Sequence, residues 1–285
     1  MDQKKVNEEI FKKASKTYYN SSRFFPPDKR EEVFTLYAFV RVADDFVDKV
    51  PADPAGFYQF KEEWKKASQG LPTNNPVVEG MANLAKKRGF EPQWTEAFLR
   101  SMEWDLSKKE YNNLQETLDY IYGSAEVIGL YMAKILELPV AAFEGARLLG
   151  RAMQYINFIR DMDEDRRVLG RRYLPLEDTG LTEISLEEAQ RKPASFQKFI
   201  DIHTERYLQW QRGAESSYHY LPPSFRWPIM TASDMYVWTV ETIQKNPFIV
   251  FQRQVKPSKF RVMWTFLLNR LNLGRVRVSK STSIR

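Results

Sequence analysis

Proline breaks this chain repeatedly, and between the breaks its apolar residues recur three and four positions apart. The breaks read "PP" at 26–27, "PADP" at 51–54, "LPTNNP" at 71–76, "LPPS" at 221–224 and "NP" at 246–247. Apolar residues spaced in that way share one face of a helix, and proline marks where a helix must stop or start. No Asn-Gly or similar tight turn joins alternating runs, so hairpins are not expected. The pattern predicts helices over 4–19, 28–49, 54–68, 75–88, 92–106, 114–136, 140–167, 185–191, 195–219, 224–245 and 257–271. Segment 166–184 lacks a clean period and holds four arginines, and it is predicted to be a loop that orders over a bound ligand. With no repeat and no long linker, residues 1–285 are expected to form one all-α domain, ending in a basic tail from about 272.

Two of these helices carry charge where burial is expected. In "YAFVRVADDFVD" (37–48), Tyr37, Arg41, Asp44 and Asp48 share one face, while Leu36, Phe39, Val40 and Val47 call for a core. In "QYINFIRDMDED" (154–165), Gln154, Asn157, Asp161 and Asp165 form a second stripe flanked by Ile156, Phe158 and Ile159. Like charges four apart repel, and near an apolar core the repulsion grows unless a cation compensates. One such stripe reads as a solvated face; two, each holding D-x-x-x-D, read as a facing pair of carboxylate clusters. Oxygen donors without His or Cys select a hard cation, Mg²⁺ or Mn²⁺, and Mg²⁺ commonly combines carboxylates with substrate phosphates. The stripes therefore point to a diphosphate bridged by metal in an aromatic-rich helical cavity.

Composition removes other chemistries. The chain has no cysteine, which excludes disulfides, thiolate metal sites and a Cys nucleophile, and fits a reducing cytoplasm. Its two histidines, His203 and His219, stand in no Glu-x-x-His pair, so a di-iron bundle is not expected. No apolar run reaches the roughly 20 residues of a membrane span. The net charge is +6, and the segment "FLLNRLNLGRVRVSKSTSIR" has no acidic residue. That balance suits peripheral contact with anionic lipid; nothing beyond charge suggests nucleic acid as a partner.

The stripes resemble the signatures of the squalene/phytoene synthase family of head-to-head prenyl synthases. The first family pattern runs Y-A-x-x-R-x-x-D-D-x-x-D, and the second Q-x-x-N-x-x-R-D-x-x-E-D, followed by R-x-Y-L-P, here "RRYLP" at 171–175. "YIYGSAEVIGLYMAKIL" (120–136) resembles a third block, departing at Glu126 and Ile128. "SKTYY" (15–19), "MY" (235–236) and "FQRQVKPSK" (251–259) resemble further segments. The resemblance implies an isoprenoid-synthase-type bundle around a central apolar cavity. It implies Mg²⁺ on Asp44, Asp48, Asn157, Asp161 and Asp165, with phosphate held by Ser15, Lys16, Arg41, Arg160, Arg172 and Arg253 beside Gln154. Tyr37, Tyr120 and Tyr236 are expected near the cationic intermediates.

The implied reaction joins two prenyl diphosphates through a cyclopropylcarbinyl diphosphate. Small Ser21 and Ser22, beside Tyr18, are expected to leave a long tail channel. That favours geranylgeranyl diphosphate and phytoene over farnesyl diphosphate and dehydrosqualene or squalene. No reductive step with NADPH is expected, since the chain lacks a dinucleotide fingerprint and the C-terminal anchor of eukaryotic squalene synthases. The R-D-x-x-E-D-x-R motif argues against a head-to-tail synthase or terpene cyclase. Intact aspartates argue against a non-catalytic member.

Overall fold

A computed structural model describes residues 25–271, and within them every regular element is a helix, apart from one isolated bridge between Glu110 and Arg172. The helices are α1 (Pro27–Asp48), α2 (Pro54–Ser68), α3 (Pro76–Arg88), α4 (Pro92–Ser107), α5 (Leu114–Ile121), α6 (Val127–Ile135) and α7 (Phe143–Glu164). They continue as α8 (Leu186–Arg191), α9 (Pro193–Glu215), α10 (Pro223–Lys245) and α11 (Lys259–Arg270). The expected helix over 4–19 lies outside the described residues.

The prolines that punctuate the sequence open helices. α1, α2, α3, α4, α9 and α10 each carry proline in the first turn, where its missing N–H costs nothing. Side chains complete several starts. Asn75 accepts from the N–H groups of Val77 and Val78, Asn113 from Glu116 and Ser258 from Arg261.

Two predicted helices are interrupted. The run over 114–136 widens into a π turn at Tyr122–Glu126, and the run over 140–167 ends in another at Asp165–Leu169. The first lies so close to α4 that a Cβ on Gly123 would sit 2.1 Å from the Ala97 carbonyl oxygen. Its last residue, Glu126, is buried and accepts from Arg147 (3.0 Å) and Arg151 (2.6 Å) of α7. The departure from the family pattern at this position thus builds an ionic clamp between the π turn and α7.

Two cores result. Phe39, Phe57, Phe60, Met81, Phe98 and Val127 centre one; Ile121, Tyr155, Ile156, Phe196 and Phe199 centre the other. α1 buries Ala38, Phe39, Ala43 and Val47 in the first, and α7 buries Tyr155, Ile156, Phe158 and Ile159 in the second. The two acidic stripes therefore ride on helices that belong to different cores.

Segment 166–184 is no free loop. Arg171, Tyr173, Leu174, Leu181 and Ile184 are buried, Thr117 Oγ1 donates to the Tyr173 carbonyl (2.8 Å), and Tyr111 N–H donates to the Arg172 carbonyl (3.1 Å). Tyr173, Leu174, Leu181 and Ile184 enter the core shared with α5 and α7 at irregular spacing, so no helical period marks them in the sequence.

Candidate active site

The two stripes face one another. Asp48, at the end of α1, acts electrostatically on Asp44 of its own helix and on Asp165, the first residue of the π turn after α7. Burial, and then the neighbouring Asp48 charge, push the Asp44 carboxyl up to about 7. Burial, and then the Asp161 and Asp48 charges, push Asp165 up to about 8. The site holds more negative charge than its own cations offset.

Some of that charge is balanced locally. Arg41 pairs with Asp44 (2.9 Å) and Asp45 (2.5 Å), and Arg160 donates Nε–H to Asp161 Oδ1 (2.8 Å). Asp163 is occupied with Arg167 at 2.7 Å. Tyr37 lies near Asp44 and Asp45, and burial pushes its phenol up. Gln154 and Asn157 are half-buried on the same face of α7 as Asp161 and Asp165. The Asn157 Oδ1 is buried with no hydrogen-bond partner, a cost the fold retains at the centre of the stripe.

Arg171 joins the stripes from below. Its guanidinium is 3% exposed and donates to Asp48 Oδ1 (2.6 Å), Tyr173 Oη (3.1 Å), the Val47 carbonyl (2.8 Å) and the Asp105 carbonyl (2.9 Å). It also lies 3.4 Å from the carboxylate of Asp105, itself 3% exposed on α4. Tyr120 and Tyr173 each donate an O–H to Asp105 at 2.7 Å. Burial pushes Asp105 up to about 6, with the Arg171 charge holding it back. Phe158 stacks on Tyr173 at 4.2 Å, and Tyr111 and Tyr120 pack around them. The result is a floor of aromatic rings and one buried ion pair beneath the carboxylates.

The expected arginine shifts by one residue. In the R-x-Y-L-P register Arg171 is the motif arginine, and it faces the site. Arg172 donates instead to Glu110 (2.9 Å) and to the carbonyls of Tyr111 (3.0 Å) and Leu174 (3.1 Å), which fixes the backbone of the segment. Tyr120 joins the floor through Asp105, and Tyr236 packs half-buried on the second core. Arg253 is exposed after the short helix at Pro247–Phe251. Ser15, Lys16, Tyr18, Ser21 and Ser22 lie outside the described residues.

Both histidines are engaged in hydrogen bonds, His219 through Nδ1 to the Ser216 carbonyl (2.8 Å). His203 donates Nε2–H to the Pro175 carbonyl (3.1 Å), which leaves Nδ1 to accept from Tyr155 Oη–H at 2.5 Å. Burial pushes its pKa down to about 3.

Comparison with known proteins gives the family. The family model for squalene/phytoene synthase matches residues 11–261. The chain belongs to the squalene/phytoene synthase family. It is therefore a prenyltransferase-type enzyme of isoprenoid biosynthesis. It is 27% identical to a phytoene synthase of Arthrospira platensis over 90% of this chain and 88% of that protein. It is 29% identical to the phytoene synthase of Rhodobacter capsulatus, over 91% of this chain and 78% of that one. Among solved structures, a dehydrosqualene synthase in complex with a ligand superposes with a TM-score of 0.79 at 22% identity, covering 95% of each chain. The squalene synthase HpnC of Alicyclobacillus acidocaldarius gives 0.76 at 20% identity, over 86% of this chain and 94% of that one. These structures share the helical fold.

Proposed function

We propose that the chain condenses two geranylgeranyl diphosphates head to head, releasing diphosphate and forming phytoene through a cyclopropylcarbinyl diphosphate. The observation that carries the reading is the approach of the Asp44–Asp48 stripe on α1 to Asp161 on α7 and Asp165 just after it, over an aromatic floor. The phytoene synthase names of the similar curated proteins support the C20 substrate.

The donors fit Mg²⁺, and Mn²⁺ equally. All are oxygens, their charges repel one another, and the Asn157 oxygen lacks a partner. Among the described residues no three acidic side chains converge on one point. Mg²⁺ would therefore take one or two of these carboxylates at a time and complete its shell with phosphate and water. Asp44, Asp48, Asn157, Asp161 and Asp165 would hold it. When bound, it would supply the positive charge that balances a departing diphosphate.

The chain's own side chains supply the rest. Arg41 and Arg160 lie at the rim of the carboxylates, with guanidinium forks suited to phosphate oxygens. Arg171 holds Asp48 in place from beneath and keeps Asp105 ionically paired. The stacked rings of Phe158 and Tyr173 make an apolar aromatic floor against which an allylic cation would form. Their rings also keep water from that cation. NADPH takes no part in this reaction.

The test incubates purified protein with Mg²⁺ and either geranylgeranyl or farnesyl diphosphate, with and without NADPH, and analyses the hydrocarbons. Phytoene from the C20 substrate, unaffected by NADPH, is expected. A C15-derived product alone would replace the substrate assignment, and no hydrocarbon from either would remove the catalytic reading.

A further inference from the structure

α11 has two working sides. One docks on α10, where buried Asn269 donates to Thr231 Oγ1 (3.2 Å) and Asp234 Oδ2 (2.8 Å). The other carries Phe260, Met263, Trp264, Leu267 and Leu271, exposed by 74, 68, 54, 45 and 56%. At roughly 100° per residue these five fall within an arc of about 100°, centred opposite Asn269. They are five of the eleven large apolar side chains that the described residues expose, so they make a patch and not a scatter.

Charge selects the occupant. Lys259 and Arg270 edge the apolar arc on one side and Arg261 on the other, with the Arg261 guanidinium 4.8 Å from the Trp238 ring. Residues 252–285 contain nine Lys and Arg and no Asp or Glu. A second copy seated face to face would set these cations against their own kind. A polar–apolar boundary with anionic headgroups takes both features together: the apolar arc enters the acyl region and the basic flanks meet the headgroups.

We propose that α11 is an interfacial anchor that seats this protein on an anionic membrane surface through Phe260, Met263, Trp264, Leu267 and Leu271. Gln254, just before the helix, donates to Glu164 at the end of α7, next to Asp165. The seated helix is thereby joined to the helix that bears the second stripe. This inference goes beyond the proposed condensation and does not depend on it, because its test uses no substrate.

The test sediments the full chain with vesicles of phosphatidylcholine alone, or of phosphatidylcholine mixed with phosphatidylglycerol. Wild type should pellet with the mixed vesicles, bind the neutral ones weakly, and be released by salt. F260S/W264S should lower the partition coefficient on the order of 30-fold, equivalent to about 2 kcal/mol. K259E/R270E should abolish the preference for the anionic vesicles. All four positions are exposed, and unchanged helical circular dichroism and thermal midpoint verify the fold of both variants. Three results would overturn the proposal. One is no vesicle binding by wild type, as for a face that takes a protein partner. Another is equal binding by wild type and F260S/W264S. The third is wild-type self-association lost in F260S/W264S, which would assign the face to a second copy.

Discussion

Replacing Arg171 by methionine isolates what the floor of the site contributes. Methionine keeps the unbranched stem and removes the guanidinium, which makes four hydrogen bonds to Asp48, Tyr173 and the Val47 and Asp105 carbonyls. The larger loss is the ion pair. Asp105 is 3% exposed and would keep only the hydroxyls of Tyr120 and Tyr173. Breaking a buried pair from one side costs about 3–5 kcal/mol, because the remaining charge is stranded. At roughly 2 °C per kcal/mol for a domain of this size, the thermal midpoint should fall by roughly 6–10 °C. Adding Asp105→Asn removes the stranded charge, so R171M/D105N should be more stable than R171M by about 2 kcal/mol, a coupling typical of direct contacts. Urea or thermal unfolding of the four proteins followed by circular dichroism measures the cycle. A loss below about 1 kcal/mol for R171M, or additivity within about 0.5 kcal/mol, would refute the buried pair as the element that fixes the floor.

Two further outcomes follow from local features. His203 is neutral when folded, with its pKa pushed down to about 3. The unfolded chain takes up a proton near its ordinary value of about 6.5 while the native state does not. Stability from this group is therefore complete above pH 6.5 or so and falls as pH drops towards 3, by about 2 kcal/mol at pH 5. In His203→Gln the acid slope of unfolding free energy should lose about one proton's worth, and an unchanged slope would mean His203 titrates normally. Gly123→Ala places a Cβ at 2.1 Å from the Ala97 carbonyl oxygen, a backbone atom that cannot step aside. It should destabilise by about 1–3 kcal/mol despite the better helix propensity of alanine, read as a lower denaturant midpoint.

Helix existence was legible because proline and apolar period agree, and Pro54–Ser68 and Leu186–Arg191 come within a residue of the bounds that the sequence predicts. The π turns at Tyr122–Glu126 and Asp165–Leu169 were not, since one extra residue in a turn leaves the apolar spacing almost unchanged. Both stripes were readable because four residues each repeat a step of three or four. Asp105 was missed, although a signal exists: it continues the face of Trp94, Phe98, Ser101 and Met102, so it is a lone charge on the buried side of α4. Arg171 and Arg172 are adjacent, and only the R-x-Y-L-P register distinguishes the one that turns inward. Depth of the tail channel rests on Ser21 and Ser22, outside the described residues.

The central claim is that the stripes on α1 and α7 act as one site. Asp48→Asn and Asp165→Asn, singly and together, test it through kcat/KM for Mg²⁺-dependent diphosphate release, with circular dichroism verifying the fold. Groups that act as a unit lose most of their effect when either is removed, so the double variant should be little slower than the worse single one. Losses that multiply in the double variant, or near-wild-type turnover in either single one, would mean the two stripes are independent acidic faces.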